Sequence, residues 1–171
     1  MKILFLDIDG VLNCDESQRA AANQFEYMEH VPDELYGPSQ LDRSRIGLLN
    51  QVVDATGCKL VVSSTWRQRY IIGELNALLR SQGLTGNLYR YTPRPFQLTP
   101  GGAWSKRGDE IESWLSTTTK EITSWAAVDD DAVKLADPSR LVRTDLAFGL
   151  EQPHVEALIK LLGPGEFCGR R

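Results

Sequence analysis

Three short segments, KILFLD at residues 2–7, KLVVS at 59–63 and SWAAV at 124–128, are apolar at nearly every position. A strand with one wet face alternates apolar and polar side chains, so a continuous apolar run means burial on both faces. That is the situation of a parallel sheet held between two layers of helices. Segments of helical periodicity separate these runs: 41–56, 67–81 closing near Gly83, 105–116 with Ile111, Trp114 and Leu115 on one face, and 153–162, where Pro153 suits a first turn. Shorter strand-like runs at 88–91 and 141–144 bring the sheet to about five strands. The expectation is an α/β, three-layer, Rossmann-like domain with a central parallel sheet.

A chain of 171 residues is the size of one domain, and we read 1–171 as a single unit. Thr92 to Gly102, TPRPFQLTPGG, is too rich in proline and glycine for a regular element and is expected to be a loop. Residues 13–40 are polar, acidic and weakly periodic in QRAAANQFEYMEH, which allows a short helix there. Fewer than about 40 residues seldom fold alone, so this segment is expected to be a small cap-like insertion over the site. Cys14, Cys58 and Cys168 are odd in number and form no CxxC pair, which points to reduced thiols and away from a disulfide framework or zinc. No apolar run approaches the roughly 20 residues of a membrane span, and the N-terminus lacks the pattern of a secretory signal. A cytoplasmic location is expected. The net charge of −4 argues against coating nucleic acid by bulk electrostatics and leaves room for a local basic site.

In open parallel sheets ligands bind beyond the carboxyl ends of the strands. Polar residues follow the apolar runs there at Asp7 to Gly10, Ser63 to Arg67, Asp129 to Asp131 and Thr144 to Asp145. In DIDGVLN, Asp7 and Asp9 are two positions apart and on a strand share a face. Two carboxylates so close disfavour one another's charge unless a cation lies between them, and an oxygen-only set suits hard Mg²⁺. Gly10 permits a sharp turn that brings backbone amides toward a ligand.

DxDGVL after an N-terminal apolar strand resembles motif one of the haloacid dehalogenase (HAD) superfamily of phosphatases. The resemblance implies that Asp7 attacks phosphorus to form an aspartyl-phosphate and that Asp9 protonates the leaving oxygen and later activates water. In KLVVSSTWR it implies that a hydroxyl at the strand end, Ser63 or else Ser64, binds the phosphoryl group, with Arg67 able to reach phosphate. In WSKRGDEIESWL it implies a basic residue, Lys106 or Arg107, that balances charge. Lys106 is the one that family chemistry favours. WAAVDDDAV resembles the motif-four acidic pair, which implies that Asp129 and Asp130 join Asp7 and Asp9 around Mg²⁺ and leaves Asp131 as a bystander or cap. The four motifs occur in the family order.

LDIDGVLN, SSTWR, GDEIESWL, WAAVDDD and RTDLAFGL together resemble the HAD domain of Swiss-army-knife RNA repair proteins. This implies as substrate a phosphorylated nucleotide or an RNA or DNA end. The chain has room only for a modest insertion, hence a minimal cap and an accessible site, with Arg67, Arg69 and Arg94 as candidate contacts. A phosphatase of small metabolites, a phosphotransferase and a non-catalytic phosphate- or metal-binding regulatory domain are the rival readings. His30 and His154 have no partner pattern, and Trp114 and Trp125 are expected to pack on the sheet. Trp104, beside the glycine-rich loop, is a candidate to stack on a base.

Overall fold

The computed structural model describes residues 1–26, 28, 39–98 and 102–165. Five strands, β1 (Lys2–Leu6), β2 (Lys59–Val62), β3 (Leu88–Tyr91), β4 (Ser124–Asp129) and β5 (Leu141–Arg143), form one sheet in the order β3-β2-β1-β4-β5. Every neighbouring pair is parallel, and β1 lies in the middle, with Leu6 opposite both Val62 and Val128.

The continuous apolar runs have their cause in this position. Leu4 and Leu6 of β1 belong to the larger core, with residues of α2 (Arg43–Thr56), α3 (Ile72–Ser81) and α5 (Gln152–Leu162). Ile3 and Phe5 belong to the smaller one, with Ile111 and Trp114 of α4 (Arg107–Thr117). Phe5 meets the rings of Trp114 and Trp125 edge-on, at 5.4 and 5.9 Å between centroids. Fully burying side chains of this kind contributes roughly 1.5–3 kcal/mol each, so both faces of β1 contribute to holding the layers together.

Local chemistry sets the helix ends. Asp42 caps α2 by accepting the amide of Ser44 at 2.8 Å, and Gly57, at φ +66°, ends it in the left-handed conformation. The single helix expected over 67–81 is two elements. Ser64 caps a 3₁₀ turn over Thr65–Gln68, and α3 starts afresh at Ile72, where Glu74 accepts the amide of Ile71 at 3.1 Å. The helix expected from residue 105 begins at Arg107, because Asp109 accepts the Lys106 amide at 2.7 Å and fixes the first turn there. Within residues 13–40 a short helix, α1 (Asp15–Gln24), is present. Most of the remainder of that segment, including His30, lies outside the described residues, as do Thr99 to Gly101 and Cys168. Cys14 and Cys58 are buried free thiols. Among the described residues no helix is long and apolar enough to cross a membrane.

Gly108, in the first turn of α4, packs directly under the loop after β4. A Cβ there would stand 1.8 Å from the carbonyl oxygen of Lys134, whereas one at Gly47 in α2 would meet nothing within 4 Å. Gly108→Ala should therefore lose at least about 1–3 kcal/mol of stability through overpacking. Gly47→Ala should gain about 0.4–1 kcal/mol by restricting the unfolded chain. Urea midpoints of the two variants check both signs.

Candidate active site

The sheet ladder continues for one residue past the strands. Asp7 donates its amide to Val128, Ser63 to Leu6, Thr92 to Val62 and Thr144 to Asp129, all between 2.9 and 3.1 Å. The first polar residue after each apolar run is thus held by the sheet, and all five of Asp7, Ser63, Thr92, Asp129 and Thr144 are buried. Beyond Asp7 the chain turns at Gly10, φ +68°, whose carbonyl accepts the Thr144 hydroxyl at 2.7 Å. A Cβ on Gly10 would come within 2.5 Å of the Asp130 side chain, so glycine is needed both for the turn and for the approach of that acid.

Asp7, Asp129 and Asp130 each bring a carboxylate oxygen within 4.8 Å of the others. Among the described residues, the cation hydrogen-bonded to this group is Arg107. Nη1 of Arg107 donates to Oδ2 of Asp7 at 2.5 Å and also to Oδ2 of Asp129. Burial pushes the Asp7 carboxyl above its ordinary range, opposed by the Arg107 charge and by interactions with the Ile8 amide and Ser64 hydroxyl. Burial, and then the negative charge of Asp7, carry Asp129 up to about 6 against the same guanidinium. Asp130 is raised by burial and by Asp131. Burial works against the charge on Arg107, yet Asp7 and Asp129 hold its pKa above the usual value.

Three carboxylates against one guanidinium leave an excess of negative charge in a poorly hydrated place. Oδ1 of Asp7 is buried with no hydrogen-bond partner. An orphaned anionic oxygen in an all-oxygen set fits a hard divalent cation, and Asp7, Asp129 and Asp130 are the residues that would hold it.

Other candidates from the sequence fall elsewhere. Asp9, expected on the same face as Asp7 and around the same ion, does not join the cluster. β1 ends at Leu6, so Asp9 lies in the turn, where strand alternation no longer applies. Its Oδ1 accepts Nδ2 of Asn13 at 2.9 Å, and both its oxygens accept the indole N–H of Trp66, at 3.1 and 3.0 Å. Of the two serines, the Ser64 hydroxyl lies near enough to Asp7 to favour its charged form without a hydrogen bond to its buried Oδ1, while Ser63 is bound into the sheet by its amide.

Arg67, expected at phosphate, is turned inward and buried. It donates to the carbonyls of Ser63 and Ser64 and forms an ion pair with the buried carboxylate of Glu110 in α4. Its terminal nitrogens are thus committed to the protein. Lys106, favoured over its neighbour by family chemistry, caps α4 as an exposed residue, and Arg107 is the one that reaches Asp7. A cavity of about 540 Å³ opens beside it, lined among others by Thr65, Gln68, Lys106, Arg107 and Lys134.

Asn13, Glu110 and the indole N–H of Trp66 escaped the sequence reading. A signal existed only for Glu110, an acid one position before Ile111 and four before Trp114 on the apolar face of its helix.

A sequence family described as the HAD domain in Swiss Army Knife RNA repair proteins matches residues 3–155. No curated protein and no solved structure matches the chain. The matched span runs from β1 through the acids after β4 into α5, and so takes in every residue of the site. The five-stranded parallel sheet agrees with the fold of that family: the chain belongs to the HAD domains of Swiss Army Knife RNA repair proteins.

Proposed function

We propose that this domain is a Mg²⁺-dependent phosphohydrolase that works through an aspartyl-phosphate on Asp7. Membership in the family suggests a phosphohydrolase. The observation that carries the finer reading is the state of Asp7: one oxygen held by Arg107, the other buried and unpartnered, with two further carboxylates inside 4.8 Å.

In the first step a carboxylate oxygen of Asp7 bonds to phosphorus as the phosphorus–oxygen bond to the leaving group breaks. Asp9 gives that oxygen a proton. In the second step water gives its proton to Asp9 and attacks phosphorus, which frees Asp7 and releases inorganic phosphate. Arg107 fixes the orientation of Asp7 and Asp129 and supplies positive charge where the phosphoryl oxygens would lie. Ser64, with Ser63 beside it, is the hydroxyl we place at the phosphoryl group. The chemistry supplied by a bound cation is neutralisation of phosphoryl charge.

As substrates we propose phosphates on nucleotides or on RNA or DNA ends. The family description supports this, as does the modest length of the insertion at residues 13–40. Arg69 and Arg94 are candidate contacts to backbone phosphate. Turnover of a panel of 3′- and 5′-phosphorylated oligonucleotides, nucleotides and sugar phosphates tests it. Activity confined to sugar phosphates would remove the nucleic-acid reading and keep the hydrolase.

Phosphate release from p-nitrophenyl phosphate with Mg²⁺ tests the chemistry. Asp7→Asn should lower it by more than about 10³-fold and Arg107→Ala by about 10²–10³-fold. Lys106→Ala should stay within about 3-fold, as expected of a side chain that stabilises no transition-state charge. Equal activity in Asp7→Asn and wild type would mean that the nucleophile is another group.

Cation binding has a readout that needs no turnover. At about 100 times its Kd, Mg²⁺ should add about 2.7 kcal/mol to the folded state, seen as a rise in Tm. Asp130→Asn should remove most of it. Asp129 keeps its proton to about 6 in the fold but loses it near 3.8 in the ordinary unfolded state. Stability without the cation therefore falls as pH rises through that window. The rise in Tm should accordingly be larger at about pH 7.5 than at about pH 5, where the proton competes with the ion.

A further inference from the structure

Asp9 follows Asp7 by two residues yet is held by different means. Oδ1 accepts two donors, Nδ2 of Asn13 and Nε1 of Trp66, whereas Oδ2 shares only that indole N–H. Both donors are themselves fixed. The Asn13 side chain is buried, and its Oδ1 accepts the amide of Gly10 at 2.8 Å. Trp66 sits in the 3₁₀ turn capped by Ser64, packs against the larger core, and stacks on Tyr70 with 5.7 Å between centroids and 30° between planes. Two neutral donors thus grip one side of the carboxylate, and Oδ2 is the less occupied oxygen. Asp9 also lines a pocket of about 240 Å³, together with Gln40, Thr65, Trp66, Arg69 and Tyr70.

Resting on the reading of Asp9 as the acid–base partner of Asp7, we propose that this pocket receives the alcohol half of the substrate and that Trp66 is a positioning residue, its indole N–H aiming Asp9 at the departing oxygen. When the phosphorus–oxygen bond breaks, its electron pair goes to the alcohol oxygen, and the proton on Asp9 moves there. An alkoxide is too basic to leave well without that proton, whereas a nitrophenolate leaves without help. A carboxyl held this firmly matters most where the leaving oxygen is that of an unactivated alcohol, and the role of Trp66 is therefore read from how the rate depends on the leaving group. Misplacing a catalytic group by about 1 Å can cost about 10²-fold, so removing one indole N–H should be felt in the rate.

Trp66→Phe keeps an aromatic ring against Tyr70 and removes the donor. The measurement is kcat/KM, which reports the steps up to departure of the leaving group, with Mg²⁺ present. The substrates are p-nitrophenyl phosphate and an alkyl phosphate that the wild type turns over. Trp66→Phe should lose about 10–100-fold on the alkyl ester and less than about 3-fold on the aryl ester. Asp9→Asn should show the same selectivity more strongly, up to about 10²–10⁴-fold. Equal loss on both esters in Trp66→Phe, or none, with Asp9→Asn still selective, overturns the role of Trp66. An Asp9→Asn variant with no such selectivity overturns the reading of Asp9 instead.

The hydrogen bond is checked without turnover in a proton–nitrogen correlation spectrum, where each of the chain's 4 tryptophans gives one indole signal. The Trp66 signal is the one lost in Trp66→Phe or, should that variant not fold, the one showing through-space contacts to Tyr70. It should shift in Asp9→Ala. A signal that does not move means that the indole does not bind Asp9, and the proposal fails.

Discussion

One guanidinium shared between two buried carboxylates sets the terms for the rest of this molecule. The sheet forces Asp7 and Asp129 together, because β1 and β4 are neighbours in register and their polar tips have nowhere else to go. Arg107 makes that neighbourhood tolerable and yet leaves it short of positive charge. Its own position carries a cost. A cation in the first turn of a helix opposes the helix dipole, and α4 compensates with Asp109 and Glu110 in the same turn. Gly108, between Arg107 and Asp109, lets the turn come down onto the loop after β4.

Glu110 ties this arrangement to the neighbouring strand. It lies three residues after Arg107, hence on the same side of α4, and forms its ion pair with Arg67, which in turn holds the carbonyls of Ser63 and Ser64. The turn of helix that presents a cation to Asp7 thereby also holds the loop that presents a hydroxyl to it. Taking both partners out of water costs several kcal/mol per ion, and buried pairs are often no more stabilising than apolar residues of equal size. The return for this pair is geometric, since it fixes the distance between α4 and the end of β2.

Much of the fold was legible because burial on both faces leaves a compositional mark. KILFL, KLVV and SWAAV have one physical meaning, and the parallel sheet follows from it. The end of β2 was less so, because two serines follow the strand in succession and strand length, which pointed to Ser63, does not tell which hydroxyl lies near Asp7. The break between the 3₁₀ turn and α3 was also hidden. Periodicity detects an apolar face, and the inward turn of Arg67 depends on Glu110, 43 residues away in the chain. Lys106 and Arg107 could not be separated for a related reason. Helix phase selects between them, and that phase is set by the Asp109 cap, whose carboxylate looks in sequence like any other surface acid.

Asp7 and Asp9 illustrate the same limit at closer range. On an ideal strand their spacing puts them side by side, where they would share one cation. The strand instead ends at Leu6 and the turn at Gly10 intervenes, so the second acid leaves the sheet and swings toward Trp66 and Asn13. The hydrogen-bond partners differ in kind: a guanidinium for the first, the neutral N–H donors of Asn13 and Trp66 for the second. A positive partner works against the burial that disfavours the charge on Asp7, whereas a neutral donor orients an oxygen without adding charge to it. Two chemically identical side chains are thus given different partners by a turn that begins three residues after the last strand residue.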